Sequence, residues 1–497
     1  MDGSVAWIAL GVTLAATFGA ATFGARAAYA GDWTITPRVG AIESFSDNVN
    51  GLPRGQAQSD FYTTVTPGIS VRGTGARLKL ALDYSAQKLF YHRYSNLDRL
   101  NHNLNATGTM TVLPEHLFVD AQSSISQQTI NSAGTVSAVP GAGNRNNTTT
   151  VKTFSISPYW RSHFGSFADA ELRYGFNDYL SGTSQVADNT SHTFSAQATS
   201  GYEFTRLLWL AQATDTESHL GSSTQVQGGL ALSNLDSSHR LVQFAPEYVI
   251  NRFVSVLGNI GWEQIDDPTL VNRPVGLIGS AGIRLHPGPR TVLTAKANHR
   301  FNRNFFTGDA AYKIGATSTV TASYSEDIQS SQSQTAQDLS FLTTDEFGNF
   351  IDRRTAQQFQ IGNAAFNLSS ASYTQKRFET RFNYALGRNH LGALGFNERR
   401  FTELTGITER NTGVSLNFGR ELTPVDNLNL TLRYLGTNYG TSDGRKDSLY
   451  GGGTGLVHRF SDSLQATVDY NILVRNSNLP NNGSVENVVS VGLLKSF

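Results

Sequence analysis

Apolar and polar residues alternate one for one along most of this chain. Leu100, Leu104, Ala106, Met110 and Val112 fall on one parity, and Asn101, Asn103, Asn105, Thr107 and Thr109 on the other. Leu464, Ala466, Val468, Tyr470 and Ile472 likewise oppose Gln465, Thr467, Asp469 and Asn471. The pattern recurs as Leu428, Leu430, Leu432 and Tyr434 against Asn427, Asn429, Thr431 and Arg433. It recurs again as Leu78, Leu80, Leu82 and Tyr84 against Arg77, Lys79 and Asp83, and as Leu293, Ala295, Ala297 and Phe301 against Thr294, Lys296, Asn298 and Arg300. Side chains of a strand point alternately to its two faces, whereas a helix would scatter these residues around its axis. Many segments run to about a dozen residues. Soluble strands average ~5–6 residues and a tilted membrane-spanning strand needs ~9–11. Long strands with one apolar face and one face carrying Arg, Lys, Asp and Asn predict a membrane barrel: lipid outside, water inside.

The connections alternate as well. Short turns are expected at 73–75, 113–116, 165–166, 205–206, 251–252, 286–289, 315–317, 387–389 and 461–463. Longer polar stretches span 46–59, 131–148, 181–190, 221–237, 330–355 and 437–446. Short periplasmic turns and longer outer loops are the asymmetry of outer-membrane barrels. The predicted fold is all-β: a transmembrane antiparallel up-and-down β-barrel of about 22 strands, within a range of 18–24, with both termini periplasmic. Residues 334–372 read either as one large outer loop or as a concealed extra hairpin.

The one continuous apolar run, Val5 to Thr22, ends in the A-x-A sequence Ala28-Tyr29-Ala30. It predicts a signal peptide over 1–30, cleaved after Ala30, with the barrel over 31–497. The stretch before the run carries Asp2 and lacks the Lys or Arg that such a segment ordinarily has. The alternative is a membrane anchor, for which the run is short against the ~20 apolar residues a span requires. A first strand at Trp33-Thr-Ile-Thr-Pro37 leaves no room for a globular plug ahead of the barrel. At the other end, Val489, Val491, Leu493 and Phe497 share a parity, an apolar final strand closing on an aromatic. These four are read as the assembly signal of an outer-membrane barrel.

Composition narrows the function. The 497 residues carry 39 basic and 39 acidic side chains and no cysteine. A balanced charge excludes a general nucleic-acid binder, which would show a basic excess. Lack of cysteine fits passage through an oxidising periplasm. Mean hydropathy is only −0.27, as expected when half of each strand faces a wet interior.

Several stretches resemble one family, the outer-membrane barrels associated with PEP-CTERM, exosortase and exopolysaccharide clusters. They are Trp33-Thr-Ile-Thr-Pro37, Phe45-Ser-Asp-Asn-Val49, Ser59-Asp-Phe61, Thr66-Pro-Gly-Ile-Ser70, Gly75-Ala-Arg-Leu-Lys-Leu80 running to Asp83-Tyr84, Phe118 to Gln128, Ser157-Pro158 and Tyr324-Ser-Glu-Asp327. The resemblance implies an outer-membrane location and a role in polysaccharide export or surface assembly. It supplies no catalytic residues.

A search for chemistry finds little. His92, His102 and His116 are too dispersed for metal-ligand spacing, and no H-x-x-x-H or C-x-x-C occurs. His102 beside Asn103, or His299 beside Asn298, suits a polar wall residue better than a lipase base. Asp47-Asn48 with Asp60 lacks the density of a calcium loop. Asp266-Asp267-Pro268 reads as a turn. Asp345-Glu346 with Asp352-Arg353-Arg354 reads as a loop ion-pair cluster, or as a contact with lipopolysaccharide phosphates. No catalytic residue, cofactor or metal is therefore expected. The functional surface is the lumen, with Arg77, Lys79, Asp83, Glu171, Arg173, Lys296, Arg300, Arg433, Asp469 and Arg475 as candidate lining residues that either tune conduction or brace the wall. Trp33, Trp160, Trp209, Trp262, Tyr174 and Phe497 are candidates for the aromatic girdles. The expected partners are outer-membrane lipid and lipopolysaccharide, the barrel-assembly machinery, and an exopolysaccharide with its periplasmic export components. The functional expectation is a pore or export conduit. The alternative is a structural or adhesive barrel presenting long outer loops.

Overall fold

The computed structural model describes residues 31–497 except 140, 144, 225–232, 331, 335–341, 345–349, 353–356, 359–367, 369 and 370, and except the side chains of 145, 342–344, 350–352 and 357–358. The expected signal peptide and the acidic and basic cluster at 345–354 thus fall outside the described side chains.

The wall opens with β1 (Asp32–Ser46), β2 (Asp60–Thr74), β3 (Leu78–Tyr91), β4 (Arg99–Leu113), β5 (Leu117–Thr129) and β6 (Thr148–Phe164). It continues through β7 (Ala168–Ser181), β8 (Asn189–Ser200), β9 (Leu207–Leu220), β10 (Leu235–Asn251) and β11 (Val254–Asp266). Next come β12 (Val275–Gly288), β13 (Thr291–Arg300), β14 (Arg303–Ile314), β15 (Ser318–Ser330), β16 (Ser372–Leu386) and β17 (Asn389–Thr402). The last are β18 (Ile407–Glu421), β19 (Asp426–Asn438), β20 (Lys446–Ser461), β21 (Leu464–Ser477) and β22 (Ser484–Ser496). Each strand pairs antiparallel with the next, giving one 22-stranded sheet. β1 closes it on β22, from Arg38 opposite Ser496 to Ser46 opposite Val488. Closure removes the two edges that an open sheet would leave unpaired, a requirement inside a bilayer.

Parity is preserved around the whole circuit. Inward Ser44 meets Ser490 across the closing seam, and their hydroxyls lie 2.9 Å apart. Outward positions carry Ile35, Leu172, Phe194, Ile260, Leu277 and Phe306, all largely exposed. Such apolar exposure is untenable in water and is satisfied by lipid.

The two rims differ. The start of β1 and the end of β22 lie on the rim where the connections are short (75–77, 114–116, 165–167, 252–253, 387–388), and long segments (47–59, 130–147, 221–234, 331–371) join the strands at the other. The short-turn rim is periplasmic. Of the two readings of 334–372, neither adds a strand to the wall. Among the described residues between β15 and β16, Leu342–Thr344, Phe350–Asp352 and Gln357–Gln358 pair in a separate three-stranded sheet, as an outer loop with its own hairpin would. Phe301 does not continue the apolar face of β13 either. With φ of 55° and 57°, Phe301 and Asn302 form a two-residue hairpin turn in which both residues are left-handed.

The apolar core lies at the outer mouth, within the barrel. The loop 130–147 folds inward there. Its Ala138 and Ala142 pack with Tyr62, Leu89, Tyr91, Leu449, Leu473 and Val488, all on the inward parity of their strands, and with Val49 and Leu97 from neighbouring loops. Each large side chain buried in this way contributes ~1.5–3 kcal/mol. A second cluster joins Ile130, Val151, Tyr179 and Val186 on the neighbouring strands β6 and β7 and the loops beside them.

Candidate functional site: a polar lumen narrowed at its outer mouth

The register places Lys79, Asp83, Glu171, Arg173, Lys296, Arg300, Arg433, Asp469 and Arg475 on the inward parity of their strands. Arg77 lies in the periplasmic turn that precedes β3. These residues do not converge on one point. They fall into separate groups around the wall, and Asp83, Glu171, Arg173 and Arg300 are ion-paired with residues of other strands.

On β5–β7, the Glu171 carboxylate accepts from the Arg161 and Arg173 guanidinium groups, each at 2.9 Å. Arg173 also reaches Asp120 at 3.1 Å and lies 3.9 Å above the Tyr159 ring, which stacks on Phe118. The cleft beside it, about 330 Å³, is lined by Thr107, Thr109, Gln122, Ser155 and Ser157. Asp83 is held by Arg72 from β2 at 2.5 Å. Across the lumen, Arg300 spans Glu263 at 2.5 Å and Asp327 at 2.9 Å, while His239 Nε2 meets the same Glu263 at 2.7 Å.

Arg433 and Asp469 flank a strip of small residues on β20. A Cβ added to Gly451 would come within 2.2 Å of Arg433 Nε, one on Gly453 within 2.6 Å of Asn471 Oδ1, and one on Gly455 within 2.3 Å of Asp469 Oδ1. The glycines therefore make a trough in which neighbouring polar side chains lie flat against the wall. Asp469 accepts from Thr467 Oγ1 at 2.6 Å.

Arg475 belongs to the mouth. Its guanidinium donates to the Ser132 carbonyl at 2.9 Å and to the Ala133 and Gly134 carbonyls, and Arg445 adds a bond to Ala133 O at 2.8 Å. Glu486, on the inward face of β22, accepts from the Ala138 amide at 2.6 Å, Ser46 Oγ at 2.8 Å and Ser137 Oγ at 3.2 Å. Asn101 Nδ2 donates to Gly141 O at 3.1 Å. Strand side chains thus hold the backbone of 130–147 in place across the opening. A buried charge is tolerable only with such a complement of partners.

The sequence reading missed the densest charge group. Arg377 bonds Glu379 and Glu398, each at 2.6 Å. Arg381 bonds Glu379 at 2.5 Å, and Arg400 pairs with Glu398. Its signal was available: Arg377-x-Glu379-x-Arg381 and Glu398-x-Arg400 place opposite charges on a single face of adjacent strands.

Val489, Val491, Leu493 and Phe497 point outward and are exposed, and the Phe497 amide bonds Pro37 O at 2.9 Å across the seam. Trp33, Trp160, Trp209 and Phe497 lie outward near the periplasmic rim, Trp262 lies outward in the outer half, and Tyr174 is outward on β7. His102 also faces outward, where its Nδ1 shares a 2.8 Å hydrogen bond with Tyr84 Oη, and His299 Nδ1 meets Asn304 Oδ1 at 2.7 Å. Among the described residues no three His, Cys, Asp or Glu side chains converge as a metal site would require.

A closed cylinder with an apolar exterior, a hydrated charged interior and short turns on one rim defines a porin-like outer-membrane β-barrel. Residues 20–168 match a family described as "Putative beta-barrel porin 2". No curated protein matches the chain. Among solved structures, the siderophore receptor PirA from Acinetobacter baumannii is similar at 10% identity and a TM-score of 0.48, covering 93% of this chain and 80% of that one. The ferric-catecholate import receptor Fiu from E. coli K12 is similar at 9% identity and a TM-score of 0.47, with 93% and 81% covered. The protein is a porin-like barrel of the bacterial outer membrane.

Proposed function

We propose that this barrel is a conduit for surface polysaccharide across the outer membrane, gated by the inward-folded 130–147 loop. The observation that carries the reading is the wall: most inward positions are hydrophilic from rim to rim, and the apolar ones are the residues on which the loop docks together with scattered side chains such as Leu241, Leu257, Ile278 and Phe396. One sector of the lumen, formed by Thr193, Ser195, Gln197, Gln212, Thr214, Gln243, Asn259 and Ser280, offers hydroxyls and amides without charge. Such groups exchange hydrogen bonds with a neutral polyhydroxyl chain without trapping it, and passage requires binding that is weak and repeated. The resemblance to exopolysaccharide-associated barrels supports the same cargo.

The test is single-channel recording in a planar bilayer with the wild type and with Glu486→Ala combined with Arg475→Ala, which frees the loop. The wild type should conduct weakly and the variant more strongly, and neutral oligosaccharides should interrupt the current. Absence of conductance in both proteins would overturn the reading. The size of the 331–371 loop, with its own small sheet, favours a second role in surface attachment. Deleting 335–367 should then abolish attachment and leave membrane insertion intact.

A further inference from the structure

On the outer face of β16–β20, cations stand directly opposite one another. Lys376 is register partner to Arg399, Arg399 to Arg410, Arg410 to Asn438, and Asn438 to Lys446. All five carry the outward parity. Directly opposed side chains in an antiparallel pair sit ~4.5–5.5 Å apart at Cβ, and like charges so placed repel. Lys376 is partly answered by Glu326, its register partner on β15, with Nζ to Oε2 at 3.1 Å; Arg303 shares that carboxylate. Arg399, Arg410 and Lys446 are exposed, and among the described residues no acidic side chain pairs with any of them. Elsewhere on the outer face some charges are answered by the protein itself, Arg240 by Asp215 at 3.4 Å and His219 by Asp236 at 2.6 Å.

The height of the row is defined by its own strand. Arg410 and Arg420 share the outward parity of β18 and bracket Thr412, Val414, Leu416 and Phe418. At ~3.3 Å per residue and a tilt near ~45°, the two guanidinium levels are roughly 24 Å apart, close to the ~25 Å apolar band of such barrels. Arg410 and its register partners therefore lie where hydrocarbon gives way to the outer-leaflet headgroups. Just below the row, exposed Phe378 and Val414 begin the apolar surface.

We propose that Arg399 and Arg410, flanked by Lys376 and Lys446, form a binding site on the barrel exterior for the phosphate of an outer-leaflet glycolipid, with its acyl chains lying along Phe378 and Val414. Two neighbouring guanidinium groups suit a phosphate through paired charge-assisted hydrogen bonds. An anion from outside supplies the counter-charge that the wall omits here.

The test measures lipid binding to the full-length barrel in neutral detergent. The probes are diphosphorylated lipid A, the same lipid with its phosphates removed, and inorganic phosphate. The proteins are the wild type, Arg399→Gln with Arg410→Gln, each single variant, and Arg420→Gln at the opposite rim. Folding is verified by heat-modifiable electrophoretic mobility. Lipid A should bind the double variant about tenfold or more weakly than the wild type, and Arg420→Gln should bind as the wild type does. The dephosphorylated lipid should bind the wild type no better than it binds the double variant. Equal binding of the two lipids by the wild type would overturn the proposal whether or not the variants fold. Complete displacement of lipid A by millimolar inorganic phosphate would overturn the glycolipid as the ligand.

Discussion

Two sets of arginines in this barrel meet opposite fates. Arg377, Arg381 and Arg400 face the lumen and share Glu379 and Glu398 across two strands. Arg399, one residue from Arg400, faces lipid and meets only other cations in its register. One step along the chain therefore separates charge that braces the wall from charge left for an external anion. The sheet's period of two makes both arrangements possible within the same pair of strands.

The largest expected effect is on the inner set. Glu398 is fully buried and bridges Arg377 and Arg400, so Glu398→Ala takes the bridging carboxylate from Arg400 and leaves Arg377 with Glu379 alone. It should destabilise the folded barrel by ~3–5 kcal/mol, read as a lower urea midpoint in vesicles. Next is Gly451→Leu, which forces Arg433 from its trough. Crowding of this kind costs ~1–3 kcal/mol, and the displaced guanidinium should also lower unitary conductance. Glu486→Ala strands the Ala138 amide and should cost ~1–3 kcal/mol, chiefly by loosening the loop, with faster hydrogen exchange confined to 130–147. The outer set should respond least. Arg399→Gln should change stability in neutral detergent by no more than ~0.5 kcal/mol, and towards greater stability, since a like-charge neighbour is removed. A large loss of stability there would erase the contrast.

The wall was legible in the sequence because alternation is a local property. Leu428 to Tyr434 already separates outside from inside, and the register of β19 with β18 and β20 repeats that separation. Arg77 shows the limit of the method: Gly75-Ala-Arg77 keeps the alternation but lies in the turn. The folded-in loop was harder to see, since Glu486 and Ala138 meet across 348 positions of the chain and neither residue type announces the other. A trace of it was present: Leu435, Leu449, Leu473 and Val488 are apolar on a parity that is mostly polar, and they cluster where the loop docks. The cation row escaped notice for another reason. Arg399 and Arg410 each look ordinary alone, and only strand pairing brings them side by side.

The two-residue turn at Phe301 and Asn302 makes the β13–β14 hairpin shorter than its neighbours, and pairing between β14 and β15 begins only at Gly308 opposite Tyr324. Above that level the two strands are joined by the Arg303–Glu326 ion pair, without backbone rungs. The cylinder therefore has one loosely stitched stave near its outer rim. Under tension it should part sideways there first, well away from the seam where its two ends were joined.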